Sequence, residues 1–377
     1  MLYTIPDYYK EFHCIADKCE DTCCAGWQII IDKKALNKYK KIRGDFRKRM
    51  LISVDWLQGA FRQDKEKRCA FLNENNLCDL YLNQGEEGFC KTCREYPRHT
   101  EEFEGVREIT LSISCPEVAR ILMNRKDKVT FLSYEREGDE EFEDFDPFLF
   151  SILEDARKEM ISILQNRELL IEIRVVLVLG MAHDMQGRMN RQEMFDCFAV
   201  MDKYKSQKAL DFVKAYLENK EVSKQRDELA PVMFQHLYEL ELLRNEWGIL
   251  LQETEDLLYR DRKEYKVLWD EFSVFCRVDK DIEIHLEQLL VYFLFTYFPG
   301  AVYDGEIYAK VQLAVYCVWM IYELWMARWL KNEKTLNLEE MTELVYRFSR
   351  EVEHSDLNLK TVERIMEKKW LLCINLW

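Results

Sequence analysis

The distribution of cysteine constrains this chain more than any other feature of its sequence. Nine of its 13 cysteines lie in the first 115 residues, and the other four are scattered over the remaining 262. Thiols at this density are normally held in disulfides in an oxidising compartment, or bound to a metal or an iron–sulfur cluster in a reducing one. The clustered residues are Cys14, Cys19, Cys23, Cys24, Cys69, Cys78, Cys90, Cys93 and Cys115.

The N-terminal residues favour the reducing alternative. The sequence MLYTIPDYYKEFHC has no basic start, no apolar stretch and no small-residue cleavage site of the kind found in secretory signals. We therefore expect a cytoplasmic protein whose thiols stay reduced. On this interpretation the nine cysteines, taken together, are the candidate ligands of a metal or an iron–sulfur cluster.

The spacing of the cysteines is compatible with two kinds of centre. Cys90-x2-Cys93 lets one turn of chain direct two sulfurs to a single metal, and Cys115-Pro116 is typical of the end of an iron–sulfur ligand run. Thiolates exclude hard ions such as magnesium and calcium. A four-cysteine zinc site and a [4Fe–4S] cluster both remain open, as do the number of centres and the choice of ligands. His13 and His99 lie near the cysteines, and we interpret both as surface or core residues.

Composition and apolar periodicity predict a mainly α fold. Twelve glycines and six prolines in 377 residues are too few for a sandwich or barrel with many tight turns. Residues 1–134 are expected to form an irregular, cysteine-rich metal or iron–sulfur domain with a little β structure. Residues 135–146, with eight acids in twelve positions, are expected to be a solvated linker, and residues 147–377 an all-α domain.

Local signals place individual elements within this plan. Residues 27–31 and 106–114 are predicted strands, and residues 33–51 have helical character. Cys115-Pro116 and Asp146-Pro147 should each open a helix, because proline is well suited to the first helical position. No glycine-rich phosphate loop is present, which disfavours a Rossmann-type methyltransferase or dehydrogenase. Further helices are predicted over residues 169–185, 191–200, 208–218, 226–258, 265–276, 282–298, 301–330, 338–350 and 359–370.

Charge is distributed unevenly along the chain. Residues 1–125 carry 21 Lys and Arg against 20 Asp and Glu, which leaves 33 against 49, a net charge of −16, in residues 126–377. A surface this acidic would repel a phosphate backbone, so we expect no nucleic-acid partner. It would attract basic groups such as the lysine side chains of a protein. The longest apolar runs, residues 289–298 and 313–322, are too short to span a bilayer, so we expect no membrane partner either.

Several cysteine motifs resemble those of one known family. The motifs are Cys23-Cys24-Ala25-Gly26-Trp27-Gln28-Ile29, Cys69-Ala70-Phe71-Leu72, Asn76-Leu77-Cys78-Asp79-Leu80-Tyr81, Cys90-x2-Cys93-Arg94-Glu95-Tyr96-Pro97-Arg98 and Ser114-Cys115-Pro116-Glu117. They resemble the flagellin lysine-N-methylases over residues 1 to about 125, and more distantly the small CxxCxxCC family of zinc- or iron-chelating proteins. The resemblance implies methyl transfer to lysine side chains of flagellin, with S-adenosylmethionine as donor and a [4Fe–4S] cluster held by the cysteines.

Two other functions are consistent with a cysteine-rich segment followed by helices. One is a non-catalytic protein that binds or delivers metal, as the smaller chelating relatives suggest. The other is a helical interaction scaffold stapled by zinc. Against a simple carrier stands the length of the aromatic-rich helical part, 252 residues after position 125. The sequence alone assigns no residue as a general base or to an S-adenosylmethionine pocket.

Overall fold

The computed structural model describes residues 1–139, 142–218 and 226–368. Over these ranges the protein is mainly helical, which confirms the predicted fold class. The helices are α1 (Lys33–Tyr39), α2 (Phe46–Ser53), α3 (Asp79–Gln84), α4 (Lys91–Glu95), α5 (Pro116–Met123), α6 (Pro147–Leu164), α7 (Ile171–Asn190), α8 (Cys197–Tyr204), α9 (Gln207–Leu217), α10 (Arg226–Gln235), α11 (Asn245–Leu258), α12 (Arg262–Val278), α13 (Lys280–Tyr297), α14 (Ala301–Asp304), α15 (Ile307–Lys331), α16 (Leu338–Glu353) and α17 (Asp356–Glu367).

A four-stranded sheet joins the start of the chain to the segments on either side of α5. Its strand order is β4-β5-β1-β6, with β1 parallel to β5 and the other neighbours antiparallel. A separate two-stranded ribbon, β2 with β3, lies among the cysteines. The strands are β1 (Leu2–Pro6), β2 (Val54–Asp55), β3 (Ala60–Phe61), β4 (Arg98–Phe103), β5 (Val106–Leu111) and β6 (Phe131–Glu135).

Two sequence predictions in the cysteine-rich segment need correction. Residues 27–31 form no continuous strand, and contact the β2–β3 ribbon through a single bridge between Ile30 and Ala60. Residues 33–51 form two helices, α1 and α2, rather than one. The chain turns between them at Gly44, whose φ of +82° suits glycine and few other residues.

Helix starts in the rest of the chain follow their local signals. Asp146 caps α6 by accepting the backbone N–H groups of Phe148 and Leu149, as the Asp-Pro pair predicts. The helix predicted over residues 301–330 is broken by Gly305, whose left-handed φ of +75° ends α14 and allows α15 to start afresh. The helix predicted over residues 226–258 is likewise divided into α10 and α11. Of the helix predicted over residues 359–370, the last two positions lie outside the described residues.

Helix α15 lies at the centre of the packing. It is buried over nearly all of its length and contacts α7, α13 and α17. Its apolar run is therefore a core helix, as predicted. Within the described ranges, no helix is both long and apolar enough to cross a membrane.

The sheet and the helical part share one apolar core. That core contains Phe103 and Leu111 from the sheet together with residues of α6, α7 and α13 to α16. A buried ion pair, in which an N–H of Arg157 on α6 lies 2.6 Å from a carboxylate oxygen of Glu108 on β5, ties the two parts together. The acidic segment predicted as a linker joins β6 to α6, and its residues 140 and 141 lie outside the described ranges. A division into domains at this segment stays a prediction.

Candidate metal-binding and active site

Five of the nine clustered cysteines contribute to one small core, separate from the main one. We call them the core thiols: Cys24, Cys69, Cys78, Cys90 and Cys93. Cys69 and Cys90 are buried and the other three are partly exposed. A backbone hydrogen bond of 2.8 Å from Cys69 N–H to the carbonyl of Cys24 fixes two of the segments side by side. Cysteines up to 69 positions apart in the sequence are thus brought into one small core.

Three of the clustered cysteines occupy the N-cap positions of short helices. Cys78 precedes α3, Cys90 precedes α4 and Cys115 precedes α5, where free backbone N–H groups can donate to sulfur. Burial nevertheless dominates, and it raises the pKa of both Cys78 and Cys115 to about 11. Burial also raises the pKa of Cys69 to about 12. These sulfurs are neutral thiols at pH 7 unless a positive charge, such as that of a metal, is placed beside them.

Two pairs of cysteines share hydrogen bonds between their sulfurs. The bond from Cys93 lowers the pKa of Cys90, and the same bond, together with burial, raises the pKa of Cys93. In the second pair, the bond from Cys23 lowers the pKa of Cys24 to about 7. Each pair therefore holds one thiol with a lowered pKa, and the thiolate is the form that binds metal.

We call the remaining four of the clustered cysteines the loop thiols: Cys14, Cys19, Cys23 and Cys115. The charge of Cys14 acts on Cys23, and that of Cys19 acts on Cys115. The guanidinium of Arg350 on α16 opposes the effect of burial on three of them, favouring the thiolates of Cys19, Cys23 and Cys115. A cation from the helical part thus faces the loop thiols.

The chemistry of these donors fits a soft metal or an iron–sulfur cluster. The small core contains five thiols, and thiolates are the ligands that such centres take. Among residues 1–139, 142–218 and 226–368, no group of three or more His, Cys, Asp or Glu side chains is arranged as a metal-holding set. His13 contacts the carbonyl of Glu11 at the surface, and His99 pairs with Glu101 at 2.8 Å. Which of the nine cysteines bind metal stays a prediction.

Two arginines from the helical part hold the loop between Cys19 and Cys23. Arg244 and Arg350 both form ion pairs with the carboxylate of Asp21. Arg244 also donates to the carbonyl of Ala25 at 2.9 Å, and Arg350 to the carbonyl of Asp21 at 2.8 Å. Gly26 lies against Arg244: a Cβ at this position would come within 2.5 Å of the arginine Nε, and its φ is +93°. The cysteine loop is therefore clamped onto the helical part.

A hydroxyl-rich network lies on the same end of α16. The carboxylate of Glu353 accepts hydrogen bonds from the hydroxyl groups of Tyr292 and Tyr297, at 2.6 and 2.8 Å. It also contacts the hydroxyl of Ser112, which is 2.6 Å from that of Ser114. Burial raises the pKa of Glu353 in this setting. The network therefore places a carboxyl group that is reluctant to ionise between the sheet and the helices.

The network ends at an aromatic group next to the cysteine loop. His354 Nε2 lies 2.7 Å from the hydroxyl of Ser114, and its ring packs 4.8 Å from that of Trp27. Tyr96 contacts both rings. Burial, with the charge of Arg350, lowers the pKa of His354 to about 3, so this imidazole is neutral at pH 7.

A cleft of about 210 Å³ opens where the cysteine loop meets helices α11 and α16. We call it the junction cleft. It is lined on the loop side by Glu20 and Asp21, and on the helical side by Arg244, Glu246, Trp247, Leu250, Tyr346, Arg347, Arg350 and Glu351. Trp247, Tyr346 and Glu351 are buried, and Glu246 is exposed at the N-terminal turn of α11. The cleft combines carboxylates with two aromatic side chains, next to the loop thiols.

Only the cysteines of this site could be identified from the sequence. The two arginines that hold the cysteine loop, Arg244 at the N-cap of α11 and Arg350 on α16, lie more than 200 positions after the loop in the sequence. Gly26, within the quoted cysteine motif, is the one sequence signal that points to them, because a glycine there allows the close approach of Arg244.

The comparisons of this chain with known proteins agree on one family. Residues 157–373 match the FliB lysine N-methylase C-terminal domain. The flagellar biosynthetic protein FliU of Salmonella muenchen is 28% identical over 134 residues, which cover 33% of this chain and 78% of that protein. The lysine-N-methylases of Salmonella typhimurium and Salmonella choleraesuis are each 28% identical over 143 residues, 33% of this chain and 33% of theirs. The alignments thus span about a third of the length of these two methylases. No solved structure matches the chain.

Proposed function

The chain belongs to the FliB lysine N-methylase family, and we propose that it transfers methyl groups from S-adenosylmethionine to lysine side chains of flagellin, with a [4Fe–4S] cluster bound by its cysteines. The observation that carries the proposal is the match of residues 157–373, more than half of the chain, to the lysine N-methylase domain. The names of the relatives, a flagellar biosynthetic protein and two lysine-N-methylases, support the substrate and the reaction.

The charge of the protein suits a basic substrate. Residues 126–377 carry a net charge of −16, and they supply both α11 and α16 of the junction cleft. An acidic surface attracts lysine-rich segments and raises the rate of encounter more than it raises affinity.

Methylation requires a neutral amine. A free lysine has a pKa of about 10.4, so the enzyme must remove a proton from the ammonium group or withdraw it from water. Carboxylates whose pKa is raised by burial, such as those of Glu351 and Glu353, suit this task. Aromatic faces such as those of Trp247 and Tyr346 suit the binding of a cation.

The cysteines would hold the cluster through the core thiols, the loop thiols or a set drawn from both. When bound, an iron–sulfur cluster supplies iron atoms that can take up an electron or an additional ligand. The contribution of this chain is to bring the thiols together, to exclude water around Cys69 and Cys90, and to place the Arg350 cation near the loop thiols. Zinc bound by the same thiols is the alternative occupant.

Anaerobic purification followed by calorimetry tests the proposal. We expect a brown protein with iron and sulfide in cluster proportions, which binds S-adenosylmethionine. Stoichiometric zinc without iron would contradict the cluster. A protein loaded with metal that binds no S-adenosylmethionine would contradict the enzyme and favour a metal-delivery protein, which has no use for the donor.

A further inference from the structure

The junction cleft has an excess of acceptors for a positively charged ligand. Two of its three arginines, Arg244 and Arg350, are engaged by Asp21, and the third, Arg347, is paired with Glu343 one turn before it at 2.7 Å. Glu246 and Glu351 add two further carboxylates to the lining. Counted over its whole lining, the cleft has four carboxylates against three arginines, a net formal charge of −1.

The aromatic lining points to the same class of ligand. Trp247 and Tyr346 are 4% and 5% exposed, so water is largely excluded from their surroundings. Cations bind over tryptophan and tyrosine rings, more strongly where water is excluded. The indole Nε1 of Trp247 is buried without a hydrogen-bond partner among the described residues.

The size of the cleft favours a single side chain over a complete cofactor as its occupant. Its volume of about 210 Å³ lies below the roughly 300–1,000 Å³ of sites that enclose whole small molecules. One long, slender side chain with a charged tip fits this space. A nucleoside together with an amino acid moiety would exceed it.

We propose that the junction cleft receives the lysine side chain of the protein substrate, with Glu351 accepting the proton of its ammonium group and Glu246 attracting it at the entrance. This assignment rests on the proposed function for the identity of the reaction. In the step itself, one ammonium proton passes to the Glu351 carboxylate, which becomes a carboxylic acid. The nitrogen lone pair then forms a bond to the methyl carbon of the sulfonium donor, while the carbon–sulfur bond breaks and its electron pair stays on sulfur.

The position of Glu351 suits a proton acceptor. The side chain is 2% exposed, and one carboxylate oxygen accepts the backbone N–H of Leu243 at 2.9 Å. Burial raises the pKa of Glu351 to about 7, against the smaller opposing effects of that bond and of Arg244 and Lys67. A carboxylate with a pKa near the working pH is both available and basic enough for proton transfer. The charged groups around the rest of the cleft are Glu20, Asp21, Glu246, Arg347 and Arg350.

Binding of a lysine side-chain mimic tests the cleft independently of the reaction. The probe is n-butylammonium chloride, with n-butanol as the neutral counterpart, titrated by saturation-transfer NMR into the full-length, metal-loaded protein. We expect Glu351→Gln to weaken binding of the cation about tenfold, as for loss of a charged hydrogen bond. Glu246→Gln, at an exposed position, should weaken it about threefold. Asp256→Asn, an exposed neutralisation further along α11, is the matched control and should bind like the wild type.

Kinetics with flagellin separate proton transfer from a structural role of Glu351. The glutamine of Glu351→Gln keeps an oxygen for Leu243, so its fold should persist while kcat falls by about a hundredfold or more. Glu246→Gln should raise KM by a larger factor than it lowers kcat. Unaltered cation binding and unaltered kcat in Glu351→Gln would overturn the cleft assignment. Cation binding that depends on Glu351, in a protein that transfers no methyl group to flagellin, would instead support the cleft and overturn the proposed function.

Discussion

Replacement of Gly26 by alanine should weaken the attachment of the cysteine loop to the helical part of the protein, leaving Arg350 as the remaining partner of Asp21. The new Cβ would lie 2.5 Å from Nε of Arg244, and the backbone at this position has a φ of +93°. The backbone conformation alone costs about 1–2 kcal/mol for an L-residue. Displacing Arg244 from Asp21 adds about 1.5–3 kcal/mol, the usual contribution of a charged hydrogen bond. We therefore expect Gly26→Ala to lower the free energy of unfolding by about 2.5–5 kcal/mol.

A second glycine provides the matched control. Gly105, in the turn between β4 and β5, has a similar φ of +70°, and no atom lies within 4 Å of the position that a Cβ would take there. Gly105→Ala should therefore show only the backbone cost of about 1–2 kcal/mol. In an Arg244→Ala background, the destabilisation by Gly26→Ala should fall to the same backbone cost, because the arginine that the new Cβ would displace is absent. Urea unfolding and limited proteolysis at the loop measure these differences. The reasoning would be refuted if Gly26→Ala and Gly105→Ala lowered the free energy of unfolding equally. It would also be refuted if Gly26→Ala cost as much in the Arg244→Ala background as in the wild type.

Three further predictions concern the thiols, the cleft and the surface charge. Cys90→Ser or Cys93→Ser should lower the metal content and expose the cysteine-rich segment to protease. Cys197→Ser, in the main core, is the control and should leave the metal content unchanged. A full metal content in Cys90→Ser and Cys93→Ser would show that these two cysteines are not ligands. Burial raises the pKa of Glu351 from 4.5 to about 7, so the folded state binds the proton of this carboxyl group more tightly than the unfolded state does. The wild type should therefore lose up to about 3 kcal/mol of its free energy of unfolding as the pH rises from 4.5 to 7. Glu351→Gln should lack that part of the pH dependence. Identical plots of unfolding free energy against pH for the variant and the wild type would contradict this prediction. Methyl transfer at subsaturating flagellin should slow as salt rises, because charges are screened over about 8 Å at physiological ionic strength; a rate independent of salt would remove the electrostatic contribution to encounter.

The elements that the sequence predicted well are those with strong local signals. The helices after Cys115 and Asp146 begin where a cap residue and a following proline place them. The long helices with continuous apolar faces were also identified, although α14 and α15 were predicted as one. By contrast, the short strands Leu2–Pro6 and Phe131–Glu135 were missed. Their pairing partners are about 100 residues or more away in the sequence, so tertiary contacts rather than local pattern define them.

The candidate site likewise contains some residues that the sequence identifies and others that it does not. The cysteines were recognisable because their density is chemically unusual, and the family they suggested is confirmed by the match to the lysine N-methylase domain. Arg244, Trp247, Arg350 and Glu351 were not recognisable, because in sequence they are ordinary residues within or next to amphipathic helices. Their position beside the loop between Cys19 and Cys23 follows only from the fold.

Direct observation of methyl transfer to flagellin is the most decisive test of the proposed function. Protein purified without oxygen would be incubated with flagellin and isotopically labelled S-adenosylmethionine, and the lysines of flagellin mapped by mass spectrometry. We predict labelled methyl groups on flagellin lysines, formed in step with consumption of the donor and strongly reduced in Glu351→Gln. Unlabelled flagellin, after incubation with protein that contains a full cluster and binds the donor, would contradict this function.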